Sequence, residues 1–204
     1  MIDQVEQSPE RDAALVAMLP FVTTHGWTRA AMVAAGIAPL EAELLFPGGA
    51  GDMLEAWSDH CDRGMEAAAI ASGVAAERVS QRVRTLVLLR LAELSPHRAA
   101  ARRAAGLLMR PGNVRTAAKC TARTVDSIWH AAGDTSADFS WYSKRAILSA
   151  VWTATQLFWL ADGSEGQMAT EAFLDRRLAA VAQIGKLRGR LQTMMRRRPF
   201  AATG

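Results

Sequence analysis

Ala131-Ala-Gly-Asp-Thr-Ser-Ala-Asp-Phe-Ser-Trp-Tyr-Ser-Lys-Arg145 reads as the end of one helix, a polar turn and the start of another. Asp138 can accept hydrogen bonds from the free amides of a helix that opens at Phe139, which places Trp141 and Tyr142 in its first turn, close to Trp129 on the helix before. Rings held at a helix start suit an interface. They equally suit the edge of a core, because Trp and Tyr are highly buried on average.

The same punctuation recurs on both sides of this turn. Ala, Leu, Met, Arg and Glu dominate, no stretch alternates apolar with polar, and Gly or Pro returns at about one helix length. The expectation is an all-α chain of about nine helices. Two lie near 8–24, closed by Gly26, and 28–36, capped by Thr28; a third spans 39–46. After Pro47-Gly48-Gly49 come 52–71, 76–94, a helix opened by Ser95-Pro96 and running to Met109, and one from Pro111-Gly112-Asn113 to Ala132. The aromatic helix from Asp138 ends at Asp162-Gly163, and a last long one runs from Gln167 towards Met195.

The net charge of +4 conceals an asymmetry. Residues 1–72 carry three cations (Arg11, Arg29, Arg63) against eleven carboxylates, a balance of −8, whereas residues 73–204 stand at +12. The basic part suits phosphates, anionic lipid or an acidic protein, and the acidic part repels polyanions. Ala38-Pro-Leu-Glu-Ala-Glu-Leu-Leu-Phe46 stands where the recognition helix of a helix-turn-helix would, yet it offers Glu41 and Glu43 where base reading needs cations and amides. No nucleic-acid partner is therefore expected.

Catalysis is not indicated. His25, His60, His97 and His130 lack paired metal-ligand spacing, the Glu-x-x-His element of a di-iron bundle is missing, and no glycine-rich phosphate loop occurs. No cofactor is expected. Cys61 and Cys120 read as free buried thiols in a reducing compartment, and the acidic, polar N-terminus lacks the pattern of a signal peptide or presequence. Asp126 and His130 lie one turn apart and could pair, while Arg115, Lys119 and Arg123 make a cationic row at four-residue steps. Beyond Leu148 the aromatic helix is apolar on nearly every side, which demands a core, a dimer interface or an apolar cavity around it. In the tail, Ile184, Leu187, Leu191, Met194 and Met195 form one stripe with Lys186, Arg190, Arg196 and Arg197 to other sides, a pattern that fits a helix lying in a membrane interface or one packed on its own core with a solvated basic end.

His25-Gly26-Trp27-Thr28, Ile128-Trp129-His130-Ala131-Ala132-Gly133-Asp134, Asp138-Phe139-Ser140-Trp141-Tyr142-Ser143-Lys144-Arg145, Thr170 and Phe173-Leu174-Asp175-Arg176-Arg177 resemble the ubiquinone-biosynthesis accessory proteins of the Coq9 type over most of the chain. The resemblance implies a TetR-like bundle with a helix-turn-helix-like part and linking helix in 1–72 and a ligand-binding, dimerising part in 73–204. It implies a non-enzymatic homodimer that binds isoprenoid or quinone lipid and presents it to the demethoxyubiquinone hydroxylase. On that analogy Ile128, Asp138, Trp141 and Tyr142 form the partner patch, Leu148, Val151, Trp152, Thr155 and Trp159 line a lipid cavity, and the tail stripe with Arg190 meets the membrane. A bacterial member, cytoplasmic and peripheral on the inner face of the cell membrane, is the expected setting. A ligand-responsive TetR-type repressor is the alternative.

Overall fold

A computed structural model describes residues 7–134 and 139–196, with side chains excepted at 139–140 and 184–196. Ser8 opens α1 (Pro9–Met18), its hydroxyl accepting the Arg11 amide at 3.1 Å while Pro9 takes the first helical position. The expected single helix over 8–24 does not form. Pro20 has no amide to donate, so Leu19–Phe21 tighten into a 3-10 turn before α2 (Val22–His25). Then follow α3 (Arg29–Ala34), α4 (Pro39–Leu45), α5 (Ala50–Ser72), α6 (Val79–Leu94), α7 (Arg98–Leu108), α8 (Val114–Ala131), α9 (Phe139–Ala161) and α10 (Met168–Arg196). Ten α-helices and no strand occur among the described residues, the tenth arising from the break at Pro20.

Two expected caps behave differently. The Thr28 hydroxyl donates back to the His25 carbonyl at 2.9 Å, and Ser95 donates to the Leu91 carbonyl at 3.1 Å while its own backbone stays helical. Ser95 therefore carries α6 through a short 3-10 turn into α7 and does not open a new helix.

Helix α5 is the spine, packing against α1, α6 and α8, and α9 lies against α7, α8 and α10. One hydrophobic cluster extends from Leu15 on α1 to Leu174 on α10, across the expected boundary at residue 72. At the N-terminal end the close of α4 is held by Arg11, whose buried guanidinium lies 4.5 Å over Phe46 and donates to the Leu45 carbonyl at 2.8 Å. The outer side of α4 presents Leu40, Leu44, Glu41 and Glu43. Arg29, the one cation in residues 12–62, is turned to the Phe46 and Pro47 carbonyls at 3.3 and 3.0 Å and to Glu43 at 3.8 Å.

The C-terminal carbonyls of α9 end in the interior, where they need donors. Arg98 of α7 donates to the Trp159 and Asp162 carbonyls, and Arg102 to that of Leu160 at 2.6 Å. Asp162 then starts α10 by accepting the Thr170 hydroxyl at 2.6 Å, the Thr170 amide at 2.9 Å and the Ser164 amide at 2.8 Å. Hydrogen bonds, first from Thr170 and then from Ser164, hold its carboxyl below the ordinary value of 3.8. The ionised form is the one these donors favour, so the contribution is complete above pH 3.8 and is lost as pH falls through the lower folded value. Asp162→Asn should thus lower the melting temperature at pH 7 and flatten its further fall between pH 4 and 2, as followed by circular dichroism.

Candidate functional site

Gly133, at φ 77°, turns the chain out of α8 in the left-handed region. A Cβ there would stand 3.2 Å from the guanidinium of Arg82, which donates to the Ala132 carbonyl at 3.0 Å. Beyond the turn, ion pairs tie α8 to the first turns of α9. Lys144 reaches Asp134 at 2.7 Å, and Arg145 reaches Asp126 at 2.6 Å and Asp134 at 3.7 Å. Asp126 is thereby committed to Arg145 and not to His130. Above these pairs the Arg145 guanidinium lies 3.9 Å over the Trp141 ring, and Trp141 meets Tyr142 edge to face with centroids 4.7 Å apart. Trp141 is half-buried and Tyr142 is 68% exposed, so α9 begins with an aromatic knob on a charged, braced base.

Ile128, expected on this patch, belongs to the core: it is fully buried on the inner face of α8 and offers a partner no surface. Asp138 lies outside the described residues. The cationic row is likewise not a free ridge, because Lys119 and Arg123 both turn to Glu55 of α5, at 3.6 and 2.8 Å.

A cavity of about 160 Å³ opens between α5, α6, α7, α8 and α9. Trp57, Leu94, Leu108 and Trp152 give it an apolar wall; Met109, 73% exposed, and Leu157, 44% exposed, stand at its opening. Of the five residues expected to line a lipid cavity, only Trp152 does. Leu148, Val151, Thr155 and Trp159 are buried instead in another part of the interior, with the Thr155 hydroxyl returned to the Val151 carbonyl at 2.7 Å and Trp159 donating to Gln167 at 2.6 Å. At 100° per residue, Trp152, Thr153, Gln156 and Leu157 share the cavity side of α9, and the other four sit on a stripe roughly a third of a turn away.

The inner end of the cavity is polar, which sequence reasoning missed. Arg90 of α6 donates to Asp62 of α5 at 2.6 Å, both side chains being at most 5% exposed. The Thr124 hydroxyl of α8 reaches the same carboxylate at 2.8 and 3.1 Å, and a second guanidinium nitrogen of Arg90 donates to the Ser58 carbonyl at 3.2 Å. Burial pushes the Asp62 carboxyl above its ordinary value against the pull of Arg90 and Thr124; burial also opposes the Arg90 charge, which Asp62 nevertheless holds firmly. Burial raises the Cys61 and Cys120 thiols to about 11, so both are neutral. The available signal was an arginine set inside Val87-Leu-Leu-Arg-Leu91, where an apolar helix face has no other reason to carry charge.

In the tail, α10 continues as one helix through Gly185 and Gly189 to Arg196; the side chains of Ile184, Leu187, Arg190, Leu191, Met194 and Met195 lie outside the described set. Its first half is fixed to the bundle by buried Thr170 and Leu174, by Phe158 stacked on Phe173 at 4.4 Å, and by Arg84 of α6 paired with Glu171 and Asp175 at 3.0 and 2.6 Å. Among the described residues no helix is long and apolar enough to cross a membrane, and no group of three His, Cys, Asp or Glu is placed to hold a metal.

Residues 114–185, from the first residue of α8 through the aromatic turn and α9 into α10, match the COQ9 family model. The chain is similar to COQ9 proteins. The human protein named "Ubiquinone biosynthesis protein COQ9, mitochondrial" is 32% identical over 182 residues, covering 84% of this chain and 57% of its own. The bovine protein of the same name is 31% identical with the same coverage, and a probable Dictyostelium discoideum COQ9 is 28% identical over 78% of this chain and 55% of its own. The COQ9-like chain thus spans a little over half the length of these relatives. A TetR transcriptional regulator from Nitrosomonas europaea superposes with a TM-score of 0.70 at 23% identity, covering 86% of this chain and 99% of that one; the fold is TetR-like.

The buried pair gives a stability prediction. Arg90→Met leaves the Asp62 carboxylate buried without its counter-charge and should cost about 3–5 kcal/mol in urea unfolding. Asp62→Leu combined with Arg90→Met should recover most of that loss, because an apolar pair of similar volume replaces the charges together.

Proposed function

We propose that this chain is an accessory protein of ubiquinone biosynthesis, without turnover of its own, that takes up an isoprenoid or quinone lipid and presents it to the demethoxyubiquinone hydroxylase at the membrane. The observation that carries the reading is the cavity of about 160 Å³ with an apolar wall and an exposed apolar opening, formed in part by the α8–α9 stretch that matches the COQ9 model. A polyprenyl tail has almost no hydrogen-bonding groups, and an apolar pocket is the environment that suits it. The names of the relatives, each a ubiquinone biosynthesis protein, supply the pathway. The chain works as a homodimer, peripheral on the cytoplasmic face of the membrane.

Docking falls to Trp141 and Tyr142, which the Asp126, Asp134, Lys144 and Arg145 pairs hold at the surface. A rigid aromatic pair with a stacked arginine is the composition that dominates binding energy at protein interfaces. The basic second half of α10 supplies the membrane contact. Nucleic acid is not a partner in this reading, which the Leu40, Glu41, Glu43 and Leu44 face of α4 and the engaged Arg29 support.

Three measurements test it. Lipid extraction of purified protein followed by mass spectrometry should find an isoprenoid quinone or its precursor; protein that is empty and refuses added quinone would count against the reading. Tyr142→Ala should change stability by less than about 0.5 kcal/mol, because the ring is exposed, yet abolish co-purification with the hydroxylase. Liposome flotation should show binding by the full chain and its loss on truncation at Gly185, before which α10 is already fixed to α6 and α9.

A further inference from the structure

The ion pair with Asp62 does not use every donor of the Arg90 guanidinium. Nε is taken by Asp62 and Nη2 by Ser58, but Nη1 is buried and has no hydrogen-bond partner. Arg90 is only 3% exposed and lines the cavity, together with Ser58 and Thr124. Arginine offers donors only, in a fixed planar fork, so the missing partner is an acceptor. The Cys61 thiol does lie within reach of the Arg90 guanidinium, but burial keeps it neutral, and a thiol sulfur is only a weak acceptor that leaves a charged donor largely uncompensated. A buried charged donor left without a bond is costly, and such a group in a cavity wall calls for a molecule that completes it.

From this geometry we infer that the cavity selects a neutral, ring-sized ligand carrying an acceptor oxygen, which Arg90 Nη1 holds at the buried end while any hydrocarbon chain leaves past Met109 and Leu157. The inference rests on the lipid-binding reading above and adds orientation and head-group chemistry to it. Neutrality follows from the pairing: Asp62 already balances Arg90, so a carboxylate or phosphate would bring an uncompensated negative charge into the interior, whereas a carbonyl or ether oxygen would not. Size follows from the volume, since a cavity of about 150 Å³ takes one benzene-sized molecule. The Trp152 ring, its centroid 5.6 Å from the Arg90 guanidinium, provides an apolar flank for such a ring.

The test uses a matched pair of probes on the full chain. Duroquinone and durene carry the same four methyl groups on a six-membered ring, and where duroquinone has two carbonyls durene has two aromatic C–H groups; duroquinone has no unsubstituted ring carbon for a thiol to add to. Titration calorimetry should show duroquinone binding the wild type at least tenfold more tightly than durene, with its infrared carbonyl band moved to lower frequency on binding. The Asp62→Leu, Arg90→Met double variant should bind durene as the wild type does and lose the preference for duroquinone, a drop of about ten- to a hundredfold in duroquinone affinity. Equal affinity of the wild type for both probes, or a preference that survives in the double variant, overturns the inference while leaving an apolar cavity in place. Failure of both probes to bind the wild type overturns the lipid-binding reading and this inference with it.

Discussion

The bundle turns on one buried ion pair. Asp62 and Arg90 sit on neighbouring helices, and Thr124 reaches the same carboxylate from a third, so α5, α6 and α8 are joined by a cluster that is almost fully buried. Hydrophobic contact is non-directional and would let these Ala- and Leu-rich helices slide or rotate with little penalty. A guanidinium–carboxylate bond of 2.6 Å does not tolerate that, because any shift strands a charge in an apolar interior. Such a pair adds little net stability compared with leucines, and its value lies in fixing one arrangement. The cavity lies beside this cluster, with Arg90 and Thr124 in its lining.

The charge asymmetry of the sequence is spent largely in the same way. The basic part of the chain points many of its arginines inward: Arg98 and Arg102 cap the end of α9, Arg82 holds the turn after α8, and Arg123 crosses to Glu55 of the acidic part. On the acidic side, Asp12 and Asp59 gather Arg63 between them at 2.8 and 2.9 Å. What reads along the sequence as two oppositely charged surfaces becomes in part a set of seams between helices. Along the sequence the cationic excess is greatest after Asp175, which no acid follows.

Most element boundaries were legible because Gly and Pro act locally: Gly26, Gly73 and Gly133 all stand at positive φ at helix ends, as glycine permits. The aromatic turn was legible for the same reason, since a helix opening at Phe139 places Trp141 and Tyr142 at its start whatever packs beneath. The working face of α9 was not. A helix apolar on every side has no moment to say which stripe meets a neighbour and which meets a void, and the stripe of Leu148, Thr155 and Trp159 could not be told from that of Thr153, Gln156 and Leu157 without the positions of α5 and α7. The Arg90 partner was hidden by distance, 28 residues away on another helix, as Glu55 was hidden from Arg123 by 68.

The dimensions of the cavity bear directly on where such a protein can work. About 160 Å³ accommodates a ring or one or two isoprene units, well short of the 300–1,000 Å³ of sites that enclose a whole drug-sized ligand. Each methylene drawn from hydrocarbon into water costs about 0.8 kcal/mol, so a tail of several isoprene units cannot trail through solvent behind an enclosed head. If the proposed ligand is a polyprenyl lipid, its tail would have to stay in an apolar phase, and the proposed function would then require contact with a bilayer, although no described helix is long and apolar enough to cross one. Were an acceptor oxygen held at Arg90 with the tail leaving past Met109 and Leu157, as proposed, only the head would have to be desolvated and handed on. On the proposed reading the energetic demand on the protein would fall on a single hydrogen bond, from the buried Arg90 Nη1 in the cavity lining, and on a small apolar wall.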